Sequence, residues 1–221
     1  MSFWQFLQAK GWYFLTTLLG GLPQTVIVAA GSLIFALIFG LVITLLRISG
    51  WRLLQWPAVA YIEFFRGTPA LVQLFVIYFG LPDIGLQPTP LQAGIVGLGL
   101  NGAAYLAEIY RAGIQSIHRG QMEAALALGM TPVKAMQYIV LPQAIRTMLP
   151  PITSFAIVLL KDTSVVFAIG VVEIMALARN LVTETLHSAA VYLIAGILYL
   201  CMTIPMARLA ARLERQRQAW Q

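Results

Sequence analysis

Hydrophobic residues in this chain run in long blocks that polar residues interrupt at only a few places. Residues 22–46 carry no charge, and about 25 residues at ~1.5 Å each exceed the ~30 Å hydrocarbon thickness of a bilayer. A first membrane helix is therefore predicted there. Residues 53–81 are apolar except for Glu63 and Arg66. Gly67-Thr68-Pro69 breaks that block, with Thr68 suited to cap a new helix and Pro69 to its first position. The pattern predicts a tilted leading helix and then a second span. A third span covers 91–109, a fourth starts near Ala144, and a fifth covers 189–209. The expected fold class is all-α: a polytopic membrane protein of about five transmembrane helices, forming one domain over residues 1–221.

The interruptions are as informative as the blocks. Pro82, Gly85, Pro88 and Pro90 surround Asp83 in a short external loop, and residues 179–187 are expected to form a second one. Trp4, Phe6, Trp12, Tyr13 and Phe14 surround the lone Lys10, as expected of a segment at headgroup level. The first apolar block exceeds a secretory core, so the N-terminus is expected to stay attached. The fourth block is bent by Pro150-Pro151 and stops abruptly at Lys161-Asp162-Thr163-Ser164 before resuming through Met175. A broken helix at membrane depth has to face protein or a water-filled cavity. Glu63 and Arg66 lie three apart and are expected to form a structural ion pair.

The longest polar interruption, residues 119–142, reads as two short helices. Met122 to Leu128 favours helix, and Gly129 suits a left-handed residue closing it. Thr131 can cap a second helix with Pro132 at its first position. Pro142 marks a kink or stop.

Composition agrees with the membrane class: 60% of residues are hydrophobic and 10% charged. The net charge of +6 is scattered between apolar blocks, which argues against nucleic acid and for membrane topology. With the N-terminus outside, the cytoplasmic segments hold Arg47, Arg52, Arg111, Arg119, Lys134, Arg146 and the tail residues Arg208, Arg212, Arg215 and Arg217, against Lys10 and Arg179 outside. The positive-inside rule therefore predicts an external N-terminus, a cytoplasmic C-terminus and a cytoplasmic 119–142 segment.

The spacing inside that segment is specific. Glu123-Ala124-Ala125 is followed after three residues by Gly129, and after nine more by Ile139-Val140-Leu141-Pro142. This resembles the signature of the permease subunits of binding-protein-dependent ATP-binding-cassette importers. Glu63-Phe64-Phe65-Arg66-Gly67-Thr68-Pro69, the following Leu71-Val72-Gln73-Leu74, and Asn101 through Ile114 are similar to the branch that takes up polar amino acids of the histidine, glutamine, glutamate and arginine type. The resemblance implies a type I importer permease in the bacterial inner membrane, with the 119–142 segment as a coupling helix that docks on an ATPase. It also implies the partners: a cytoplasmic ATPase dimer, a second permease that is either a copy or a paralogue, and an extracytoplasmic amino-acid-binding protein.

Chemistry in the chain fits a passive subunit. No G-x-x-x-x-G-K-[ST] loop occurs, so no cofactor is expected and ATP belongs to the partner. Gly97-Leu98-Gly99-Leu100-Asn101-Gly102 is formally a dinucleotide motif, but inside an apolar helix it reads as a close-packing surface. His118 and His187 fall in separate loops without a G-x-S-x-G, which argues against a hydrolase. Cys201 alone makes no disulfide or cysteine-based zinc site. A secondary amino-acid carrier is the alternative, and the internal repeat usual for such carriers is missing. Polar groups at bilayer depth mark Asn101, Asp162, Thr163 and Ser164 as a candidate substrate pathway. The same residues also fit a structural role in which Lys161 neutralises Asp162 and Asn101 bonds a neighbouring backbone.

Overall fold

The computed structural model describes residues 3–218, and every regular element among them is helical. Helix α1 (Phe3–Leu19) turns through Gly20-Gly21 into α2 (Leu22–Ile48). Helix α2 makes its broadest contact with α5 (Pro90–Gln115). That contact depends on small residues. A Cβ on Gly99 would stand 2.7 Å from the Phe35 ring, and one on Gly102 would stand 3.0 Å from Ala36 Cβ. Two hydroxyls of α2 reach carbonyls of α5 at this close range: Ser32 donates to Ile95 at 3.2 Å, and Thr44 lies 3.2 Å from the Ala107 oxygen while also donating to Gly40 at 2.7 Å. The glycine-rich run of α5 is thus a packing surface, as expected.

Between them, α3 (Arg52–Gly67) meets the segment Ala70–Ile84, which opens with α4 (Ala70–Phe75), at 107°. Pro69, not Thr68, is the N-cap of α4. The Thr68 hydroxyl instead donates back to the Phe64 carbonyl at 2.8 Å, closing α3. A π turn (Val76–Gly80) and a 3-10 turn (Leu81–Ile84) follow, ending at Gly85 with φ +85°. Thr89 and Gln92 then start α5 with a reciprocal capping box.

Helices α6 (Arg119–Ala127) and α7 (Pro132–Ala135) form the polar interruption. Pro142 does not stop the chain. A π turn (Met136–Val140) precedes α8 (Leu141–Asp162), and the extra residue in that turn changes the hydrogen-bond register just where the proline ring would meet the preceding turn. At Thr163 the helix tightens into 3-10 geometry (Thr163–Ile169), and it breaks at Gly170, φ +93°.

The expected external loop at 179–187 is mostly helix: α9 runs Ile174–Thr185 before α10 (Ser188–Gln218). Ile174, Ala178 and Leu181 lie on one helical face and are buried with Phe14, Leu18 of α1 and Val191, Ile194 of α10. Burial of that stripe outweighs the polar residues that suggested a loop. A second core cluster joins Val28, Leu74, Leu98, Leu159 and Val166 from α2, α4, α5, α8 and the 3-10 segment.

Among the described residues three stretches are long and apolar enough to cross a membrane: Lys10–Ile48, Pro132–Ile169 and Ser188–Arg215. The bent pair Arg52–Gly67 and Ala70–Ile84 adds a fourth if it is one span. The expectation of about five counted α5 as well. This helix has 26 residues, and its glycines and all its alanines but Ala112 are buried, so it sits at the bundle centre with a less apolar sequence.

Candidate functional site

The segment 119–142 is built from two caps. Among its signature residues, Glu123, Ala124, Gly129, Leu141 and Pro142 are exposed, Ile139 is half-buried and Ala125 is buried. Gly129 has φ +84°, its N–H donates to Leu126 at 2.9 Å, and Met130 N–H donates to Ala125 at 3.1 Å. That pair of bonds is a Schellman closure, which satisfies the last carbonyls of α6 and needs a left-handed residue. The Thr131 hydroxyl accepts from Lys134 N–H at 3.4 Å and Pro132 follows it, so α7 starts at once. Gly129 and Thr131 were legible in the sequence because capping is local.

The two caps turn apolar side chains outward. Leu128 is 85% exposed, Tyr138 68% and Val133 65%. Glu123 of α6 is exposed as well and makes no ion pair among the described residues. Exposed apolar side chains and an exposed acid within one short segment have the chemistry of a protein-docking surface.

The expected pathway residues fall in two places. Asn101 Nδ2 donates to Phe65 O and to Gln73 Oε1, each at 3.0 Å. The buried Gln73 in turn donates to Phe65 O at 2.9 Å, Thr68 O at 3.0 Å and Thr68 Oγ1 at 2.7 Å. Tyr61 adds a bond from its hydroxyl to Leu100 O at 2.6 Å. Asn101 therefore ties the α3–α4 bend to α5 through backbone carbonyls freed at the bend. Gln73 was missed as its partner, although a lone amide in an apolar block was the available signal.

Thr163 is fully buried and donates to Leu160 O at 2.7 Å, while Asp162 is half-buried where α8 becomes 3-10. Ser164 and Lys161 line a cavity of about 340 Å3 with Met175, Tyr192 and Tyr199. Beside it lies a group that the sequence reading passed over. Glu173 is fully buried, caps α9 by accepting from Met175 N and Ala176 N at 2.8 Å each, and accepts from the Tyr199 hydroxyl at 2.8 Å. A single acid between Val172 and Ile174 was its signal.

Glu63 and Arg66 do not form the expected ion pair. Glu108 is instead the acid that pairs with arginines here, with Arg47 and with Arg111, the latter at 2.7 Å. Arg66 instead lies over the Tyr105 ring, 5.4 Å from its centroid. Both residues are exposed, where an ion pair contributes only ~0–1 kcal/mol and a cation–π contact contributes about as much. Among the described residues no three His, Cys, Asp or Glu side chains are placed to hold a metal ion.

Comparison with known proteins accounts for this arrangement. The family described as "Binding-protein-dependent transport system inner membrane component" matches residues 36–218. The chain is 43% identical to the probable amino-acid permease protein YxeN of Bacillus subtilis (strain 168) over 202 residues, covering 90% of each. It is 38% identical to the arginine transport system permease protein ArtQ of the same organism, covering 90% of this chain and 91% of that one. A solved structure described as an amino acid ABC transporter with histidines superposes with a TM-score of 0.88 at 35% identity, covering 98% and 99% of the two chains. With a bundle of this shape and an exposed, doubly capped segment between α5 and α8, the chain belongs to the family of inner-membrane components of binding-protein-dependent transport systems.

Proposed function

We propose that this chain is the membrane-spanning subunit of an ATP-driven importer that carries a polar amino acid handed over by an extracytoplasmic binding protein. The observation that carries the reading is the doubly capped, exposed segment 119–142. Its Schellman closure at Gly129 and its cap at Thr131 hold Leu128, Val133 and Tyr138 outward, ready for a groove on a partner. In this reading the segment 119–142 docks on one subunit of a cytoplasmic ATPase dimer, and Glu123, Ala124, Ala125, Gly129, Ile139, Leu141 and Pro142 form or support the contact. The chain itself catalyses nothing; ATP is bound and hydrolysed by the partner. A second permease, identical or paralogous, completes the pathway.

The amino acid supports itself on the names of relatives such as the arginine permease and the probable glutamine ABC transporter permease protein GlnM, 38% identical. The N-terminus lies outside and the C-terminus in the cytoplasm, supported by the cation asymmetry; Met1, Ser2 and residues 219–221 lie outside the described residues. Substrate passes Asn101 and the end of α8 at Asp162, Thr163 and Ser164, where tightened backbone and polar side chains accompany a cavity.

Reconstitution tests the whole reading. Proteoliposomes holding the permease, its ATPase and its binding protein should accumulate one or more of a panel of polar amino acids only with ATP. Uptake that persists without the ATPase and follows an ion gradient would overturn it in favour of a carrier.

A further inference from the structure

A cavity of about 400 Å3 between α2, α3 and α5 is lined by Arg47, Glu63, Arg66, Tyr105 and Glu108, among others. It lies toward the end of the bundle where α5 leads into the docking segment, remote in sequence from the α8–α9 break. Two of its four charged side chains are already satisfied, because the Glu108 carboxylate holds Arg47 on one oxygen and Arg111 on the other. The remaining two form no ion pair, although Glu63 lies close enough to Arg47 to feel its charge. Glu63 and Arg66 stand one turn apart on α3, a spacing at which opposite charges ordinarily meet, yet they form no ion pair. Arg66 is drawn over Tyr105, whose ring stacks on Phe155 with centroids 5.7 Å apart. The aromatic pair thus holds the guanidinium away from Glu63, and a carboxylate and a guanidinium line one cavity without neutralising each other.

We propose that this cavity binds the zwitterionic head group of an α-amino acid, with Arg66 taking the carboxylate and Glu63 the ammonium. The inference rests on the reading of the chain as an amino-acid permease, and it adds a station separate from Asn101 and the α8–α9 break. Glu63 and Arg66, the two lining side chains that Glu108 does not engage, carry opposite charges, so a molecule carrying both signs side by side suits them better than a lone anion, which Glu63 repels, or a lone cation, which Arg66 repels. A planar guanidinium presents paired donors matched to a carboxylate. The volume falls in the ~300–1,000 Å3 range of small-molecule sites. Glu63 and Arg66 are exposed, so the head group is read while the amino-acid side chain stays toward solvent. Such a station accepts several amino acids and holds them loosely, which suits release on the docking side.

Equilibrium binding to the permease–ATPase complex in nanodiscs, without binding protein, tests this. The probes are radiolabelled L-glutamine and L-arginine, their methyl esters, which lack the carboxylate, and the matching α-hydroxy acids, which lack the ammonium. The unsubstituted complex should prefer each amino acid over both analogues by tenfold or more. Glu63→Gln should erase the preference over the hydroxy acid and keep that over the ester; Arg66→Gln should do the reverse. A purely structural role would weaken all probes alike and leave both preferences intact, which overturns the site. Arg66→Lys serves if Arg66→Gln fails to assemble, and it should reduce the preference over the ester by losing the paired donors. If the unsubstituted transporter with its binding protein imports no amino acid, the amino-acid reading itself falls. Import together with unchanged head-group preferences in the variants removes this site alone.

Discussion

The Tyr199 hydroxyl of α10 donates to the Glu173 carboxylate at the start of α9 at 2.8 Å. Thr25 of α2 joins the same spot by accepting from Ile174 N–H at 3.4 Å. Three helices therefore converge on one fully buried acid. Glu173→Ala would strip two helix N–H groups and a half-buried phenol of their acceptor. Loss of the cap costs ~0.5–2 kcal/mol, and each buried group left unpaired adds about 1–3 kcal/mol. Tyr199→Phe removes one donor and leaves the cap intact, so its cost should be about 1 kcal/mol. Thermal unfolding of the purified complex should rank Glu173→Ala well below Tyr199→Phe. Equal midpoints would show that the acid is not the joint.

Gly129 carries φ +84°, and a Cβ built there meets no atom within 4 Å. The penalty for replacing it is then conformational rather than steric, about 1–2 kcal/mol for an ordinary L residue. Gly129→Ala should lose most of the coupling that Gly129→Val loses, and Gly129→Asn should recover part of it. Substrate-stimulated ATPase activity measures the series. Full stimulation in Gly129→Val would separate the turn from coupling.

Gly21 makes the opposite case. Its Cβ would fall 2.5 Å from Ile174 N and 2.6 Å from the Glu173 carbonyl carbon, both backbone atoms. Backbone cannot step aside as a flexible side chain can. Gly21→Ala should sharply lower the yield of folded protein and its unfolding temperature. At Gly196 nothing lies within 4 Å, and Ala there should leave stability equal or slightly higher, since alanine favours helix by ~1 kcal/mol. Similar behaviour of the two variants would contradict the packing of α2 against α9.

Asn101→Leu would break bonds to Phe65 O and Gln73, and Asp162→Asn would remove a charge at the end of α8. If both lie on the pathway, each should lower uptake while binding-protein docking, measured by pull-down, stays intact. If Asn101 acts only as the staple of the α3–α4 bend, Asn101→Leu should lower the unfolding temperature and Asp162→Asn should not. Normal uptake by both variants across the amino-acid panel would place the polar path elsewhere.

Impermeant thiol reagents test orientation on a background lacking Cys201. A cysteine at Asp83 should label from outside and one at Arg215 should not. The reverse pattern would place the docking segment on the wrong side for any cytoplasmic partner.

What the sequence determined by itself was whatever depends on neighbours along the chain. Block length and charge scatter indicated a helical membrane protein. The caps at Gly129 and Thr131 and the packing role of the α5 glycines appear where local rules place them, whereas the chain expected to break at residues 161–164 stays helical as a 3-10 turn to Ile169 and breaks at Gly170. The 3.6-residue stripe of Ile174, Ala178 and Leu181 was also present, but the polar residues around it obscured a helix that only burial against α1 and α10 reveals. Tertiary structure alone decided which polar groups meet. Tyr199 finds Glu173 across 26 residues, Asn101 finds Phe65 across 36, and Arg47 finds Glu108 across 61. Glu63 and Arg66, adjacent on one helix face, stay apart because Tyr105 arrives from another helix. An isolated surface ion pair contributes too little to resist such a neighbour, so helix spacing could suggest that pair but not secure it.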